Sequence, residues 1–342
     1  MSFEFVSEMP EPDEIKAEFP LPEKYREIKA QRDREIADIL TGKDDRFLMI
    51  IGPCSADRED AVVDYAVRLA KVAEDVKDKV FVIPRVYTNK PRTTGKGYKG
   101  MLHQPDPEKK PDLLAGLIAI RKMHIKVITE SGLTPADEML YPENHSFMDD
   151  VLSYVAVGAR SVEDQEHRLV ASGVDIPVGM KNPMSGDYSV MLNSIVAAQA
   201  PQMFIYRNWE IKTQGNPLAH AILRGSVTKH GQNMPNYHYE ELKLVSDLYL
   251  EKGLENPAII IDTNHSNSGK QFKEQIRIAG EIMHSRIHSD EVRRMVKGLM
   301  VESYIEEGNQ KIGEGVYGRS ITDPCLGWED SKNLIYSVAE NV

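Results

Sequence analysis

Short apolar segments rich in β-branched residues alternate with longer segments of helical period from Phe47 to the end of the chain. The alternation has no fixed repeat length, so it does not indicate a solenoid. We predict eight strands, at Phe47–Cys54, Val80–Tyr87, Thr134–Leu140, Tyr154–Arg160, Val178–Asn182, Ala221–Gly225, Ile259–His265 and Leu299–Tyr304. We predict helices at Asp57–Glu74, Pro111–Ser131, Asp164–Ser172, Ser189–Ala200, Tyr239–Lys252, Lys270–Met283 and Asp323–Ala339.

The predicted strands are apolar along nearly their whole length, which is typical of parallel strands buried on both faces. An open, doubly wound sheet and a closed barrel would both fit this pattern. Eight strand and helix pairs in one uninterrupted series favour the closed form. We therefore predict an α/β fold of the (β/α)₈ TIM barrel type.

Two segments fall outside the alternation. The chain is polar and interrupted by Pro as far as Pro22, and residues 23–42 then indicate an amphipathic helix that Gly42 ends. We predict an N-terminal helical arm over residues 1–44 and a barrel domain over residues 45–342. Residues 202–217 indicate a β-hairpin inserted before the sixth strand.

Charge and composition exclude several classes of partner. The chain has 42 Lys and Arg against 53 Asp and Glu, a net charge of −11 that would repel the phosphates of a nucleic acid. No apolar run reaches the 18 or more residues of a membrane span, and the acidic start does not resemble a signal peptide. We expect a cytoplasmic protein without nucleic-acid or membrane partners. Its two cysteines, Cys54 and Cys325, are too few for a disulfide scaffold.

Reactive side chains cluster at the predicted strand ends, the part of a barrel that forms active sites. One set holds a thiol, an imidazole and two carboxylates, on Cys54, His265, Glu302 and Asp323. This mixture suits one divalent transition metal, Mn²⁺, Fe²⁺, Co²⁺ or Zn²⁺, rather than Mg²⁺ or Ca²⁺. Taken singly, these residues could equally be a buried thiol, a core imidazole and a capping carboxylate.

A second set at the predicted strand ends consists of seven cations: Arg85, Lys90, Arg92, Lys99, Arg160, Lys181 and Arg224. Any one of them could be a solvated or salt-bridged surface residue. Seven at one barrel mouth would repel one another unless an anion lay among them. Because Arg and Lys both bind phosphate oxygens, we predict phosphorylated ligands.

The motifs around these residues resemble those of the class I (alpha type) 3-deoxy-D-arabino-heptulosonate 7-phosphate (DAHP) synthases. The similarity runs from about Asp44 to Trp328 and includes, in order, GPCS, RVYTNKPRTT, GAR with HRLVASG, PVGMKN, ILRG, HSNSGKQF, VESYIEEGNQ and SITDPCLGWED. The resemblance implies a barrel with an N-terminal arm and an inserted hairpin, assembled as a homo-oligomer, dimer or tetramer. It also implies the first step of the shikimate pathway, in which phosphoenolpyruvate condenses with erythrose 4-phosphate.

The resemblance assigns roles to individual residues. The family's metal ligands fall on the same four residues as above, of which Cys54 and His265 also count as catalytic. Lys90 is assigned to the reacting aldehyde. The chemistry of the reaction, rather than the resemblance, suggests that Glu138 orients the attacking water. The family's contacts with phosphoenolpyruvate fall on Arg85, Ala159, Arg160, Lys181 and Arg224. Its contacts with the aldose phosphate fall on Arg92 and Thr93. Lys99 is a further candidate for substrate binding, although it lies one residue later than the family spacing predicts.

Two other functions compete with this one. A sister family makes 3-deoxy-octulosonate 8-phosphate from phosphoenolpyruvate and arabinose 5-phosphate, but it carries a Lys-Ala-Asn-Arg-Ser type segment where this chain has KPRTT. An inactive barrel that regulates another enzyme is the alternative from a different class. The presence of both reactive sets in this chain argues against an inactive barrel.

Two positions lead to further expectations. Cys325 lies two residues after Asp323, so convergence of the ligands would bring its sulfur near Cys54, where loss of metal could permit a disulfide.

Family members inhibited by Phe or Tyr bind the effector beside the arm and hairpin, with a small hydroxyl residue before the fifth strand. Asp175 stands in that segment here, and a nearby His145 could compensate its charge.

Overall fold

The computed structural model describes residues 2–92 and 95–342. The described residues form the strands β1 (Phe47–Gly52), β2 (Val80–Pro84), β3 (Ala136–Glu138), β4 (Tyr154–Val157), β5 (Val178–Lys181), β6 (Met203–Tyr206), β7 (Trp209–Lys212), β8 (His220–Leu223), β9 (Ser226–Val227), β10 (Asn233–Met234), β11 (Ile259–Asp262) and β12 (Val296–Glu302). The helices are α1 (Pro12–Glu18), α2 (Glu23–Thr41), α3 (Glu59–Asp75), α4 (Leu113–Ser131), α5 (Gln165–Ala171), α6 (Tyr188–Gln199), α7 (Tyr239–Glu251), α8 (Glu274–His288), α9 (Asp290–Met295) and α10 (Trp328–Glu340), with a 3₁₀ helix at Pro142–Phe147.

Eight of these strands form one parallel sheet in the order β2-β1-β12-β11-β8-β5-β4-β3. The two ends of the sheet meet, because Arg85 and Ala136 form a parallel bridge just beyond β2 and at β3. The sheet is thus closed, and the predicted (β/α)₈ barrel is confirmed over the open, doubly wound alternative.

The interior of the barrel is an apolar cluster that α2 extends. Ile36, Ile39 and Leu40 of α2 are buried in the same cluster as Leu48 and Ile260 of the strands. Since only five residues separate α2 from the start of β1, this helix lies at the N-terminal end of the barrel. The opposite end, where the strands finish, is left for the loops that carry the reactive residues.

The predicted arm helix and hairpin are both present. Gly42 ends α2 in the left-handed conformation (φ +77°), and its N–H bonds to carbonyls of the last turn, as the sequence predicts. β6 and β7 pair as an antiparallel hairpin whose two turn residues, Arg207 and Asn208, both have positive φ. The proposed boundary between arm and barrel at residue 44 stays a prediction.

Several predicted boundaries are wrong. The last helix begins at Trp328 rather than Asp323, because Asp323 precedes Pro324 and the ring of a proline disfavours the helical conformation before it. Helix α8 begins at Glu274 rather than Lys270. The elements α1, α9, β9 and β10 were not predicted, and each has seven residues or fewer.

Within the described ranges no helix is both long enough and apolar enough to cross a bilayer.

Candidate active site

A cavity of about 530 Å³ opens where the barrel strands end. Glu138, Lys181 and Glu302 are the last residues of their strands, and Cys54 follows the end of β1 by two residues. The strand ends therefore deliver side chains into one space. Twelve of the predicted site residues line it: Cys54, Arg85, Lys90, Arg92, Glu138, Ala159, Arg160, Lys181, Arg224, His265, Glu302 and Asp323.

Two predicted site residues are not in this cavity. Lys99 is exposed and lines an adjoining cleft, which it shares with Lys90, Arg92 and Arg160. Thr93 lies outside the described residues. The central cavity and the cleft thus share three of the predicted cations.

The predicted metal ligands lie next to one another. Ligand atoms of Cys54, Glu302 and Asp323 are all within 4.8 Å of each other, and Cys54 Sγ is 3.4 Å from Asp323 Oδ2. His265 is adjacent, with its Nε2 3.8 Å from Glu302 Oε1. The structure brings together three side chains that could hold a metal ion and places the fourth beside them.

The chemistry of these side chains fits a divalent transition metal. Glu302 is fully buried, and its Oε1 makes no hydrogen bond to any described residue. Arg85 Nη1 is 2.9 Å from that oxygen but out of line for a hydrogen bond. A buried carboxylate oxygen in this state favours a cation as its partner, and a thiol with an imidazole nearby favours a transition metal over Mg²⁺ or Ca²⁺.

Lys90 reaches into the same group of ligands. Its ammonium donates to Cys54 Sγ and, at 3.1 Å, to Asp323 Oδ2. Burial opposes the charge of Lys90, but the attraction of Cys54, Asp323 and Glu302 outweighs it and raises the pKa of Lys90 above its usual value. Lys90 is therefore held as a cation beside the ligands.

The thiol of Cys54 is fully enclosed. Burial, with the charge of Glu302 adding to it, raises the pKa of Cys54 to about 11, so the isolated thiol keeps its proton at neutral pH. A metal ion held here would bind the thiolate, so its binding would displace that proton.

The buried cations of the cavity differ in their partners. Arg85 and Lys181 face the carboxylates of Glu302 and Asp262, respectively. Arg224 is 7% exposed, and its Nη1 has no hydrogen-bond partner in the part of the chain that the structure describes. Burial lowers the pKa of Arg224, and the neighbouring Arg160 acts in the same direction. Arg224 is thus a buried cation placed to receive an anion.

Cations outnumber acids in the cavity although the chain as a whole is acidic. The Lys and Arg side chains on the wall are Arg85, Lys90, Arg92, Arg160, Lys181, Arg224 and Lys270, against the carboxylates Glu138, Glu302 and Asp323. This excess gives the site a positive potential that attracts anionic ligands.

A model of the DAHP synthetase I family matches residues 22–335 of the chain. The chain belongs to this family. The family predicted from the sequence motifs is confirmed, and with it the enzyme class, 3-deoxy-7-phosphoheptulonate synthase.

Individual members of the DAHP synthetase I family match nearly end to end. The chain is 37% identical to the Phe-sensitive phospho-2-dehydro-3-deoxyheptonate aldolase of Escherichia coli (strain K12), over 98% of this chain and 95% of the relative. It is 36% identical to the phospho-2-dehydro-3-deoxyheptonate aldolase of Haemophilus influenzae, over 99% and 93%. The solved structure of the aldolase from Francisella tularensis SCHU S4 superposes with a TM-score of 0.92 at 30% identity, over 100% of this chain and 98% of that one.

Sequence reasoning missed three polar residues of the synthase site. Asp262 is fully buried, and its Oδ2 is 3.1 Å from Lys181 Nζ and 2.9 Å from His265 Nδ1. The Asp262–His265 contact is within ion-pair distance but out of line for a hydrogen bond. A carboxylate beside one ring nitrogen helps to orient the other toward a metal, which would be the role of Asp262. The signal that could have found it is an acid three residues before the histidine at a strand end.

Asn264 and Lys270 are the other two. Asn264 Nδ2 donates to Glu302 Oε2 at 2.5 Å. The other oxygen of this carboxylate, Oε1, is the one that lies near His265 Nε2. Lys270 lines the mouth of the cavity with a positive φ of 64°. His265 also has a positive φ, 52°, which costs energy in a residue with a side chain and is common at functional positions.

The two cysteines support a prediction on redox chemistry. Both are buried and free, and Cys325 Sγ accepts a hydrogen bond from the Cys54 backbone N–H at 3.4 Å. We expect hydrogen peroxide to oxidise the metal-free protein to a Cys54–Cys325 disulfide, in which the two thiols lose two protons and two electrons and peroxide is reduced to water. Peptide mapping checks this, and a thiol reductant followed by addition of the divalent metal should restore activity.

The matched control is Cys325→Ala, which removes one sulfur and should protect the protein from reversible inactivation. If mapping finds both thiols of the wild type free after activity has been lost, another lesion is responsible and the prediction is wrong.

Proposed function

We propose that this chain catalyses the metal-dependent condensation of phosphoenolpyruvate with D-erythrose 4-phosphate to DAHP and phosphate. One observation carries the proposal: a single cavity holds both a transition-metal donor set and an excess of cations suited to two phosphorylated substrates. Family membership supports the same reaction. In it, C3 of phosphoenolpyruvate bonds to the aldehyde carbon, water adds at C2, and phosphate leaves with cleavage of its C–O bond.

The two substrates would occupy different parts of the cavity. Arg160, Lys181 and Arg224 would bind the phosphate of phosphoenolpyruvate, with Arg85 and Lys181 near its carboxylate and the Ala159 backbone as a further donor. Arg92 faces both the cavity and the adjoining cleft, which supports its assignment to the aldose phosphate, with Lys99 at the far side of that cleft. The cations would thereby hold two anions that repel each other in solution.

Lys90 would donate a proton to the oxygen of the former aldehyde, because it is a cation held beside the metal ligands. A divalent metal, Mn²⁺, Fe²⁺, Co²⁺ or Zn²⁺, held by Cys54, His265, Glu302 and Asp323, would supply Lewis acidity toward that oxygen. Glu138 would orient the water that attacks C2.

The cellular setting is part of the same proposal. The reaction is the first step of the shikimate pathway, which leads to the aromatic amino acids, and we place the enzyme in the cytoplasm. We propose a homo-oligomer, dimer or tetramer, supported by the apolar face that Met203, Ile205 and Trp209 expose on the hairpin. Light scattering of the purified chain measures its mass in solution.

A single assay tests the reaction. Consumption of phosphoenolpyruvate is measured with erythrose 4-phosphate or arabinose 5-phosphate, each with and without EDTA. We expect turnover with erythrose 4-phosphate only, and we expect EDTA to remove it. Turnover with arabinose 5-phosphate would indicate the sister reaction, and no turnover with either sugar in metal-loaded protein would indicate an inactive barrel.

The segment before β5 leads to a prediction on feedback inhibition. Asp175 lies near His145, as the sequence predicts, but burial lowers the pKa of His145 to about 4. The imidazole is therefore neutral at pH 7 and does not compensate the charge of Asp175. Because two like charges about 4 Å apart repel by about 1 kcal/mol in water and more when partly buried, we expect Phe and Tyr to inhibit weakly or not at all.

Initial rates at increasing concentrations of each aromatic amino acid decide the question. Half-inhibition by micromolar Phe or Tyr that is lost on deletion of residues 1–20 would contradict the expectation. Asp175→Ser, which restores a small hydroxyl residue, is the matched variant and should increase sensitivity.

A further inference from the structure

A second cavity, of about 390 Å³, lies outside the candidate active site. Three loops at the same end of the barrel supply most of its wall: residues 57–59 after β1, residues 101–108 after β2 and residues 304–321 after β12. None of the metal or substrate residues that the structure describes lines it. The cavity is therefore separate from the site of the proposed reaction.

Three buried polar atoms on this wall have no hydrogen-bond partner among the described residues. They are Asp57 Oδ1, the hydroxyl of Tyr304, which is 1% exposed, and Arg319 Nε. Leaving such an atom unsatisfied destabilises the protein, and more so for a charged group. Burial raises the pKa of Asp57 to about 6, as expected for a carboxylate that lacks a strong cationic partner.

Of the other charged residues on this wall, Glu108 and Lys311 are exposed to solvent, and Asp106 pairs with Lys109. Arg58 also lines the cavity, but it donates two hydrogen bonds, of 2.7 and 2.9 Å, to the carboxylate of Asp60. Glu59 is paired with Lys126. Asp57 and Arg319 are thus an anion and a cation on one wall that are paired neither with each other nor with another described side chain.

The loop that carries Arg319 is already ordered by internal hydrogen bonds. The Gln310 side chain donates to the carbonyls of Val316 and Arg319 and accepts from the Val316 N–H, each at 2.8 Å. The Glu306 N–H also bonds to the Gly318 carbonyl at 2.9 Å. Because the loop is held in place, a ligand would not need to order it on binding.

The rest of the wall includes apolar side chains. Ile312 and Val316 line the cavity and are 43% and 36% exposed, and buried Met101 lies on the same wall. A cavity of this size falls within the range of small-molecule sites. An inorganic anion would leave Asp57 unpaired, and a simple cation would leave Arg319 unpaired.

We propose that this cavity binds a free α-amino acid with an apolar side chain. Its ammonium group pairs with Asp57, its carboxylate accepts from Arg319 and Tyr304, and its side chain covers Ile312 and Val316. One ligand then satisfies all three unpartnered polar atoms and removes exposed apolar surface from water. This site is distinct from the reaction proposed above and does not depend on it.

Isothermal titration calorimetry of the full-length, metal-loaded protein tests the proposal with L-methionine, L-leucine and L-phenylalanine as probes. We expect at least one to bind with a dissociation constant below about 1 mM. Its N-acetyl derivative lacks the ammonium group and its amide lacks the carboxylate, so each should bind at least about tenfold more weakly. These derivatives test the two contacts without any change to the protein.

Asp57→Asn and Arg319→Gln should each weaken binding of the same amino acid by at least about tenfold. Arg58→Gln is the matched control, because Arg58 lines the cavity but already pairs with Asp60. This variant should bind the amino acid with the same affinity as the wild type. The proposal is overturned if none of the three amino acids binds up to about 10 mM, if the blocked derivatives bind as tightly as the free amino acid, or if both cavity variants keep the wild-type affinity.

Discussion

Cys54→Ala is expected to abolish synthase activity whatever divalent metal is added, whereas wild-type protein stripped with EDTA should recover on addition of Mn²⁺, Co²⁺ or Fe²⁺. Cys54 supplies the only sulfur of the predicted ligand set, and its ligand atom lies within 4.8 Å of those of Glu302 and Asp323. Loss of a hydrogen bond to a metal ligand costs about 10–100-fold in affinity, so loss of the ligand itself should cost more. Elemental analysis and the rate of phosphoenolpyruvate consumption measure the two effects.

Cys325→Ala is the matched control for this variant. Cys325 is equally buried and its sulfur lies close to Cys54, but it is not a predicted ligand. The Cys325→Ala variant should keep its metal and most of its activity. Comparison of the two variants therefore distinguishes the loss of a metal ligand from damage to the packing. Full activity in wild-type protein that elemental analysis shows to be metal-free would refute the metal assignment.

The barrel and the composition of its mouth could be predicted because both follow from local patterns. Strands buried on both faces are recognisable as continuous apolar runs, and the ends of parallel strands in a barrel share one face. Cys54, Glu138, Lys181 and Glu302 could be placed in one cavity on that argument alone. Asp323 lies in the cavity although it was wrongly predicted to begin the last helix. Its placement in the cavity depends only on its position in the loop after the eighth barrel strand.

The partners of these residues could not be predicted, because they depend on contacts between distant segments. Asp262 and Lys181 are 81 positions apart, and Asn264 and Glu302 are 38 apart. Short elements such as α9 were missed for a related reason. A helix of six residues shows little periodicity in its sequence. The one local signal for α9 was its N-cap residue, Ser289, whose side chain accepts a hydrogen bond from the Val292 N–H.

Arg224→Ala should raise the Michaelis constant for phosphoenolpyruvate far more than that for erythrose 4-phosphate, and Arg92→Ala should do the reverse. Arg224 is buried in the central cavity, whereas Arg92 is half-buried and also lines the cleft that contains Lys99. We therefore assign each arginine to a different anion. Loss of one charged, bidentate contact should cost roughly 2–4 kcal/mol of transition-state stabilisation.

That cost corresponds to a fall of about 30-fold to about 1,000-fold in kcat/KM for the substrate concerned. Steady-state kinetics with each substrate varied in turn measure it, and Arg224→Lys and Arg92→Lys are the matched variants, since each keeps the charge and loses the fork of two donors. A lysine that recovers most of the loss would show that charge alone binds the anion, whereas a lysine as poor as alanine would show that the paired donors are needed. Equal increases in both Michaelis constants in both alanine variants would mean that the two arginines do not divide the substrates between them, because a residue that touches only one anion cannot weaken the other by the same factor.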